Sequence, residues 1–513
     1  MTETTSLHHT LPALDFLQGL QPVAHHHPWP RFRLDQAAWR DMREALARGT
    51  LSLLGLWADR EEIHAAVLDH QSALLILSVV VEAGGFPSLS TQVPQAMRLE
   101  RTIHDLFGHH PQAIPDERPW LDHGRWGVAQ PLAEGRRVPV APVEYPFLPV
   151  EGESLHQIPV GPVHAGIIEP GHFRFTASGE TVVRLEERLG YLHRGIEQRL
   201  EGCDLLQGAR LCGRISGDST VAYALAFARA AEAATQTVPS PRSQALRGIM
   251  AEMERLANHF GDIGAICNDA AFAMLQAHFS MLREQILQIA EHCFGHRLLM
   301  DRIIPGGVTC GLTPEGSRRL SNWLKTVPNT LSKLVEVYDE TPSLRDRMRN
   351  TGVLSSELAR RFAAGGFVGR ASARTFDARR NLPYPPYDRL DFQVPLLDSG
   401  DVNARVWIRI EEIRQSIPML RRLLTMVEEG PLTTPLLAGG GEVREGCAVV
   451  ESFRGDILLW LRLDSQNRIL RCHARDPSWF QWPLLEAVVY GNIVADFPLC
   501  NKSFNCSYAG HDL

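Results

Sequence analysis

The chain has 513 residues, of which 44% are hydrophobic and 22% are charged, and its formal net charge is −7 at pH 7. Such a composition is typical of globular proteins, and the length exceeds what one hydrophobic core usually supports, so we expect at least two domains. Charges of both signs are interspersed without a basic stripe, which argues against nucleic acid as a partner.

The N-terminal part predicts a polar lead over residues 1–31 and a small α/β domain over residues 32–135. Three adjacent histidines in the lead, His25–His27, have no further metal ligand at helical spacing, so we interpret them as part of a solvated tail rather than a metal site. The domain opens with a predicted helix over Gln36–Ala47. Short runs rich in Leu, Val and Ile then predict strands over Leu51–Trp57, Ile63–Leu68 and Leu74–Val81.

Five prolines between Leu132 and Gly161 interrupt the pattern and predict an interdomain linker over residues 136–160. Residues 161–513 then predict a mainly helical domain with some β structure, so the fold class we expect is α+β. The predicted helices are Arg184–Leu200, Ser219–Ala234, Ser243–Ile266, Ala271–Phe294, Glu315–Tyr338 and Val402–Glu428. We interpret their apolar stripes as packing.

The chain start lacks the charged and then apolar segments of a signal peptide, so we expect a cytoplasmic protein. Its longest uncharged apolar run, Ala73–Val81, is too short to span a bilayer, and we expect any membrane link to go through partners. The nine cysteines contain no Cys-x-x-Cys pair.

Two sets of motifs carry a family resemblance. The segment Arg98–Trp120, RLERTIHDLFGHHPQAIPDERPW, resembles the signature of the small C-type (30 kDa) subunit of complex I and the matching part of formate-hydrogenlyase-type large subunits. The second domain is similar to the D-type (49 kDa) large subunit of complex I, NADH-quinone oxidoreductase, and to group 4, energy-converting [NiFe]-hydrogenases. The motifs that carry this second resemblance, in chain order, are GPVHAGIIEPGHFRF, YLHRGIEQRLEG, RLCGRISGDSTVAY, IIPGGV, GRASARTFDAR, SGDVNARVWIRIEE, ESFRGD and SFNCSYAGHDL.

The resemblance implies a nickel-iron site, but the thiolates that would hold it are missing. Nickel and iron need soft sulfur ligands, and the family supplies four cysteines as two Cys-x-x-Cys pairs. Here Cys212 and Ile215 stand at the first pair, and Ser507 and Gly510 stand at the second, with Cys506 one residue early. We therefore interpret the chain as a divergent member without a nickel-iron centre, in which Cys212 is a residual ligand position.

In complex I the same cavity serves quinone reduction beside an iron–sulfur cluster on another subunit. The family's arginine near the cluster and its quinone-binding tyrosine are replaced by Cys203 and Leu205. Quinone stays an alternative cofactor, although ordinary ubiquinone chemistry is not expected.

Charged and histidine residues remain at the motif positions, and the resemblance implies that they face the former active-site cavity. A candidate catalytic network consists of Glu169, His172, Arg214, Asp218, Arg370, Asp377, Arg379 and Arg454. Candidate cofactor-facing or cluster-facing residues are His164, Arg174, His193, Arg194 and Glu197. Buried charges are costly unless they are paired, so these groups would form a hydrogen-bonded network. The alternative is that they only tie the motif loops together.

The resemblance implies the peripheral-arm large subunit of a membrane-associated redox complex, which couples electron transfer to ion translocation on the cytoplasmic side of the inner (cell) membrane. Implied partners are an iron–sulfur small subunit with a [4Fe-4S] cluster, a ferredoxin-like subunit, and membrane subunits of the antiporter-like and complex I H types. The chain itself is expected to hold no cofactor. Alternatives are a non-catalytic scaffold or regulatory subunit, an active hydrogenase and a quinone reductase subunit.

Overall fold

A computed structural model describes residues 14–135, 144–165, 168–437 and 441–513. The chain divides into two compact units. The first comprises Met1–Pro119 and Gly124–Ala141, and the second comprises Trp120–His123 and Pro142–Leu513.

The first unit is a small α/β structure. Its strands are β1 (His26–His27), β2 (Arg31–Leu34), β3 (Leu51–Ala58), β4 (Glu62–Asp69), β5 (Leu74–Val80), β6 (Gly85–Pro87) and β7 (His110–Gln112); its helices are α1 (Gln36–Ala47) and α2 (Met97–Phe107). A four-stranded sheet has the order β2-β5-β4-β3, in which β2 and β5 run parallel and the other pairs run antiparallel. The predicted helix over Gln36–Ala47 and the three predicted strands are confirmed. The helix begins where it does because the Asp35 carboxylate accepts a hydrogen bond from the Ala38 backbone N–H.

The interpretation of the lead as a solvated tail is wrong for its described C-terminal part. His26 is buried, with its Nδ1 atom 2.7 Å from the Trp29 carbonyl oxygen. Arg31 is buried as well and forms an ion pair with Glu62. Residues 1–13 lie outside the described part of the chain.

The second unit is mainly helical. Its strands are β8 (Leu155–Val160), β9 (His172–Ser178), β10 (Thr181–Arg188), β11 (Ile303–Ile304), β12 (Gly307–Val308), β13 (Arg444–Glu451), β14 (Asp456–Leu463) and β15 (Ile469–Arg475). Its longer helices are α4 (Leu205–Cys212), α5 (Thr220–Thr235), α6 (Pro241–Asp269), α7 (Ala273–Phe294), α8 (Pro314–Glu340), α13 (Val402–Thr425), α14 (Ser478–Val488) and α15 (Phe497–Phe504). Short helices are α3 (Ile196–Leu200), α9 (Pro342–Met348), α10 (Ser356–Arg361), α11 (Gly366–Arg370), α12 (Ala378–Asn381) and α16 (Tyr508–Asp512).

The core of this unit is built on the two helices α5 and α6. Helix α6 packs against α7, α13 and α15, while α5 lies across the antiparallel strands β13 and β14. The helix can approach the strand closely because Gly446 has no side chain: a Cβ there would lie 1.9 Å from the Ala230 carbonyl oxygen. The helices predicted at α5, α6, α7, α8 and α13 are confirmed.

The structure corrects two predictions at the start of this unit. The predicted helix Arg184–Leu200 is the end of strand β10 followed by a loop, and only Ile196–Leu200 is helical. The β-branched run that opens β10 favours a strand, and Gly190 and Gly195 adopt positive φ angles of 95° and 64° that interrupt a helix.

The C-terminal part of the predicted linker is also structured. Leu155–Val160 pairs with β9 as a strand of the antiparallel sheet β10-β9-β8. Before it, the Leu148 backbone N–H donates to Glu186, and the Arg174 guanidinium lies 4.1 Å from the centre of the Phe147 ring. The predicted linker residues 136–143 lie outside the described residues. Among the described residues, no helix is long and apolar enough to cross a bilayer.

Candidate functional site

Asp512, in helix α16, forms hydrogen bonds with the loop that precedes α3. The Asp512 carboxylate accepts hydrogen bonds from the backbone N–H groups of Gly190 and Leu192, at 2.9 and 2.8 Å. The Nδ1 atom of His193 lies 2.7 Å from the Asp512 carbonyl oxygen. His193 therefore has a positioning role in this structure, and burial lowers its pKa and favours the neutral ring.

Arg194 joins this loop to two other motif loops. Its guanidinium donates to the carbonyl oxygens of Arg214 at 2.9 Å, Ile215 at 2.7 Å and Ala509 at 3.2 Å. Glu169 accepts a hydrogen bond from the Ala509 backbone N–H at 3.1 Å, and burial raises the pKa of its carboxyl group. The second, third and last motifs of the resemblance thus meet around one arginine.

The residues at the family's metal-ligand positions do not fit a nickel-iron centre. Cys212 and Ile215 are both fully buried, and burial, together with the neighbouring Cys472 thiol, raises the pKa of Cys212 well above its usual value. A cysteine binds such a metal as a thiolate, and Cys212 is the one thiol among the four positions, which otherwise hold Ile215, Ser507 and Gly510. The Ser507 hydroxyl accepts from the Gly510 backbone N–H at 2.8 Å and lies 2.9 Å from the Ser216 hydroxyl. A hydroxyl–hydroxyl hydrogen bond therefore connects the two loops on which the resemblance implies metal-binding thiolates.

Beside these positions lies a group that we call the loop cluster: Arg194, Ser216, Asp218, Arg454 and Ser507. Arg454 donates to the Asp218 carboxylate at 2.6 Å, and the Ser216 hydroxyl donates to the same carboxylate at 2.7 Å. Burial alone would raise the pKa of Asp218, but the Arg454 guanidinium holds it below its usual value. The Asp218 side chain keeps 36% of its surface exposed, whereas Arg454 keeps 1%.

A second group is enclosed in the core, and we call it the core network: Glu252, Arg255, His259, Arg370, Asp377, Arg379, Glu412 and Glu451. Arg370 is at its centre. Its Nε atom lies 2.9 Å from a carboxylate oxygen of Glu412, and its Nη1 atom lies 2.8 Å from one of Glu451 and 3.4 Å from one of Asp377. Arg379 binds Asp377 at 2.8 Å and Glu252 at 3.1 Å. His259 lies 2.7 Å from Glu412. Every member is buried.

The charges of the core network nearly balance. Three guanidiniums face four carboxyl groups, and the three carboxyls Glu252, Asp377 and Glu412 have pKa values below their usual range because the guanidiniums outweigh the effect of burial. Burial and the nearby Asp377 charge raise the pKa of the fourth, Glu451, to about 7. The fourth carboxyl is therefore the place where this network can take up a proton near neutral pH.

The candidate residues from the sequence are thus distributed over several places. Asp218 and Arg454 belong to the loop cluster, while Arg370, Asp377 and Arg379 belong to the core network. Arg214 joins neither: its guanidinium binds Asp301 at 2.7 and 2.8 Å, with 40% of its side chain and 36% of the Asp301 side chain exposed.

The remaining candidates hold local structure. His164 lies 2.8 Å from the Gly171 carbonyl oxygen, and His172 lies 3.2 Å from that of Gly161, so the two rings brace opposite sides of one loop. Arg174 stacks on Phe147, as described above. Glu197 binds Arg471 at 2.8 Å and His473 at 2.7 Å; these cations outweigh burial and lower its pKa to about 2.

Sequence reasoning missed Glu252, Arg255, His259, Glu412 and Glu451. The first three lie on α6, the helix whose apolar stripe we interpreted as packing. Their spacing of three and four residues places them together on a second face of that helix, so ionisable residues at helical spacing beside an apolar stripe were the available signal.

The comparisons with known proteins decide the family. Residues 269–438 match the family model described as the respiratory-chain NADH dehydrogenase, 49 Kd subunit. The chain is 31% identical to the carbon monoxide-induced hydrogenase of Rhodospirillum rubrum over 357 residues, which are 69% of this chain and 98% of that protein. The chain belongs to the family of the complex I 49 kDa, or D-type, subunits.

Other members of this 49 kDa family match similarly. A D-type subunit of the NADH-quinone oxidoreductase of Roseiflexus sp. is 32% identical, covering 66% of this chain and 94% of that protein. Hydrogenase-4 component G of Escherichia coli is 29% identical, covering 85% of this chain and 78% of that protein. The resemblance drawn from the motifs is confirmed.

The fold of the 49 kDa family has a solved counterpart. A chain of the membrane-bound sulfane sulfur reductase, described as an archaeal respiratory membrane complex, superposes with a TM-score of 0.66 at 24% identity, covering 71% of this chain and all of that chain. The likeness establishes the fold, and the α+β class is confirmed.

Proposed function

We propose that the chain is the large peripheral-arm subunit of a membrane-associated redox complex, in which it couples electron transfer to ion translocation without a nickel-iron centre. The proposal rests on one observation: the chain keeps its charged motif residues in ion pairs, although other residues replace the cysteines that would bind nickel and iron. Hydroxyl groups and the Arg194 guanidinium hold the motif loops, while the loop cluster and the core network keep their ion pairs.

The buried charges argue for function beyond packing. Replacing buried ion pairs by apolar residues of similar volume is often neutral or stabilising, so stability alone gives little reason to keep eight ionisable groups in one core. A network that holds a proton near neutral pH, as Glu451 does, can instead respond to a change of charge on a neighbouring redox group.

The proposed partners follow from the family. They are an iron–sulfur small subunit with a [4Fe-4S] cluster, a ferredoxin-like subunit, and membrane subunits of the antiporter-like and complex I H types, on the cytoplasmic side of the inner membrane. Relatives named as a hydrogenase and as part of a quinone oxidoreductase, and a solved counterpart from a respiratory membrane complex, support an assembly of this kind. Quinone is the alternative acceptor.

A non-catalytic scaffold is the second candidate, and a specific observation favours it. His164, His172, His193 and Arg194 hydrogen bond to backbone carbonyl oxygens, which is what loops tied together for structure alone would show. As a scaffold, the chain would assemble the membrane module without taking part in electron transfer.

Purification of the native complex, followed by metal analysis and identification of its subunits, tests the proposal. We expect iron–sulfur clusters in neighbouring subunits, less than stoichiometric nickel, and no hydrogen–deuterium exchange activity. Stoichiometric nickel with exchange activity would contradict the absence of a nickel-iron centre. A complex without any redox cluster would favour the scaffold.

A further inference from the structure

A cavity of about 180 Å³ opens beside the loop cluster, between α6 and α7. Its walls are largely apolar and include Met253, Ile286 and Leu287, whereas two carboxyl groups, Glu254 and Asp218, also line it. Arg283 and Arg297, both exposed, lie at its rim. A volume of this size holds several water molecules, and the two carboxyls give such water polar partners.

Glu254 is held on this cavity by the beginning of helix α5. Its carboxyl oxygens accept hydrogen bonds from the backbone N–H groups of Val221 at 2.7 Å and Ala222 at 3.1 Å. No side-chain cation is paired with it among the described residues, whereas the neighbouring Asp218 has Arg454. The helix N-terminus favours the ionised carboxylate, and removal from bulk water favours the neutral acid.

The charged groups that face Glu254 have opposing effects, and together they do not stabilise its ionised carboxylate enough to offset burial. Asp218, at the loop before α5, disfavours a second negative charge, while Arg255 on the same helix favours it. Arg283 and Arg297 face the cavity from α7 and the loop after it. Burial is the largest effect and raises the pKa of Glu254 to about 8.

From Asp218 a row of hydroxyl groups continues away from the cavity. Ser216 donates its one hydroxyl proton to Asp218, because a carboxylate can only accept. The 2.9 Å contact between Ser216 and Ser507 must then have Ser507 as its donor. All protons of the row therefore point from Ser507, at the vacated metal-ligand position, toward Asp218.

We propose that Glu254 is a proton-relay residue, which exchanges protons between solvent and the Asp218–Ser216–Ser507 row through water in this cavity. When Ser507 takes up a proton, its own hydroxyl proton passes to Ser216, the Ser216 proton passes to Asp218, and Asp218 releases one through water to Glu254, which has given its own proton to the solvent. Each group gives up one proton for each it receives, so no oxidant or reductant is needed. That Ser507 exchanges this proton with a redox acceptor rests on the proposed function.

An infrared pH titration of the full-length chain tests the relay without any redox activity. The wild-type chain should lose a protonated-carboxyl band with a midpoint near pH 8, and Glu254→Gln should lack that band while keeping the band of Glu451, whose pKa is about 7. The exposed Glu336→Gln is the matched control and should keep it. Ala290→Leu fills the cavity and leaves the carboxyl in place, so the band should remain while its exchange into heavy water slows.

A band titrating near pH 8 that persists in Glu254→Gln, or exchange at the wild-type rate in Ala290→Leu, would overturn the relay. In the assembled complex, Glu254→Gln should reduce turnover by about 10²-fold, with partial recovery in Glu254→Asp. If the band behaves as expected but the complex has no redox activity, the proposed function fails and the proton-exchange site stands.

Discussion

The core network and the loop cluster bury similar ion pairs in different surroundings. The core network is closed: each of its carboxyls is in contact with a guanidinium, a hydroxyl or a backbone N–H of the interior. The loop cluster is open, because Asp218 faces a cavity and keeps a third of its side-chain surface exposed.

This difference separates two roles that buried charge can have. A closed network binds its parts tightly, and a change in one member must be compensated inside the core. In an open cluster, a carboxyl group that faces water can exchange protons with solvent. We therefore expect substitutions in the core network to act on stability, and those in the loop cluster to act on proton exchange.

The largest effect is expected for Arg370→Met. It leaves Glu412, Glu451 and Asp377 buried without their shared cation, and breaking a buried ion pair in this way costs about 3–5 kcal/mol. The free energy of unfolding, measured by denaturant titration, checks it. A loss in unfolding free energy below about 1 kcal/mol would contradict a closed network, because it is the value expected for ion pairs that water screens.

A smaller effect is expected for Asp218→Asn. The substitution removes the charge that faces Arg454, but the cavity lets water reach the site, so the loss should be about 1–3 kcal/mol. Ser216→Ala is its control, since it removes the hydrogen bonds of the Ser216 hydroxyl with Asp218 and Ser507 and keeps the ion pair. Thermal unfolding of both variants would measure the difference, and equal losses would argue against the ion pair as the main contact.

The helices and strands of both units were largely predictable from the sequence. The apolar period of α6 and the run lengths of β3, β4 and β5 are local signals, and the structure has them where they were expected. The prediction of a helix over Arg184–Leu200 was wrong. The β-branched residues just before it favour a strand, and two glycines within it have positive φ angles that interrupt a helix.

The placement of charge was not predictable in the same way. Nothing local distinguishes Arg214, which is exposed beside Asp301, from Arg370, which is buried. Glu254 is half-buried because the start of α5 meets the middle of α6, a contact that depends on the whole fold. Family motifs identified which residues to examine, but only tertiary structure assigns their partners.

The pH dependence of the free energy of unfolding tests whether the Glu254 carboxyl is protonated in the folded chain. Its carboxyl has an ordinary pKa of 4.5 and a folded pKa of about 8, so the folded chain holds the proton more tightly. The stabilisation is complete below 4.5 and is lost as pH rises through 8. The unfolding free energy of the wild type relative to Glu254→Gln should therefore fall between these values, by at most about 1.4 kcal/mol per pH unit. A difference that is independent of pH would contradict it.

The smallest effect is expected for Arg214→Met. Its partner Asp301 is exposed, and an exposed ion pair contributes less than about 1 kcal/mol because water and salt screen it. Most of this loss should disappear at about 1 M salt, where the screening length is about 3 Å, whereas the loss in Arg370→Met should persist. Unfolding measured for both variants at low and high salt makes this comparison. A salt-resistant loss in Arg214→Met as large as that in Arg370→Met would place Arg214 in a buried network after all, and would remove the distinction between exposed and enclosed charge on which the assignment of the two regions depends.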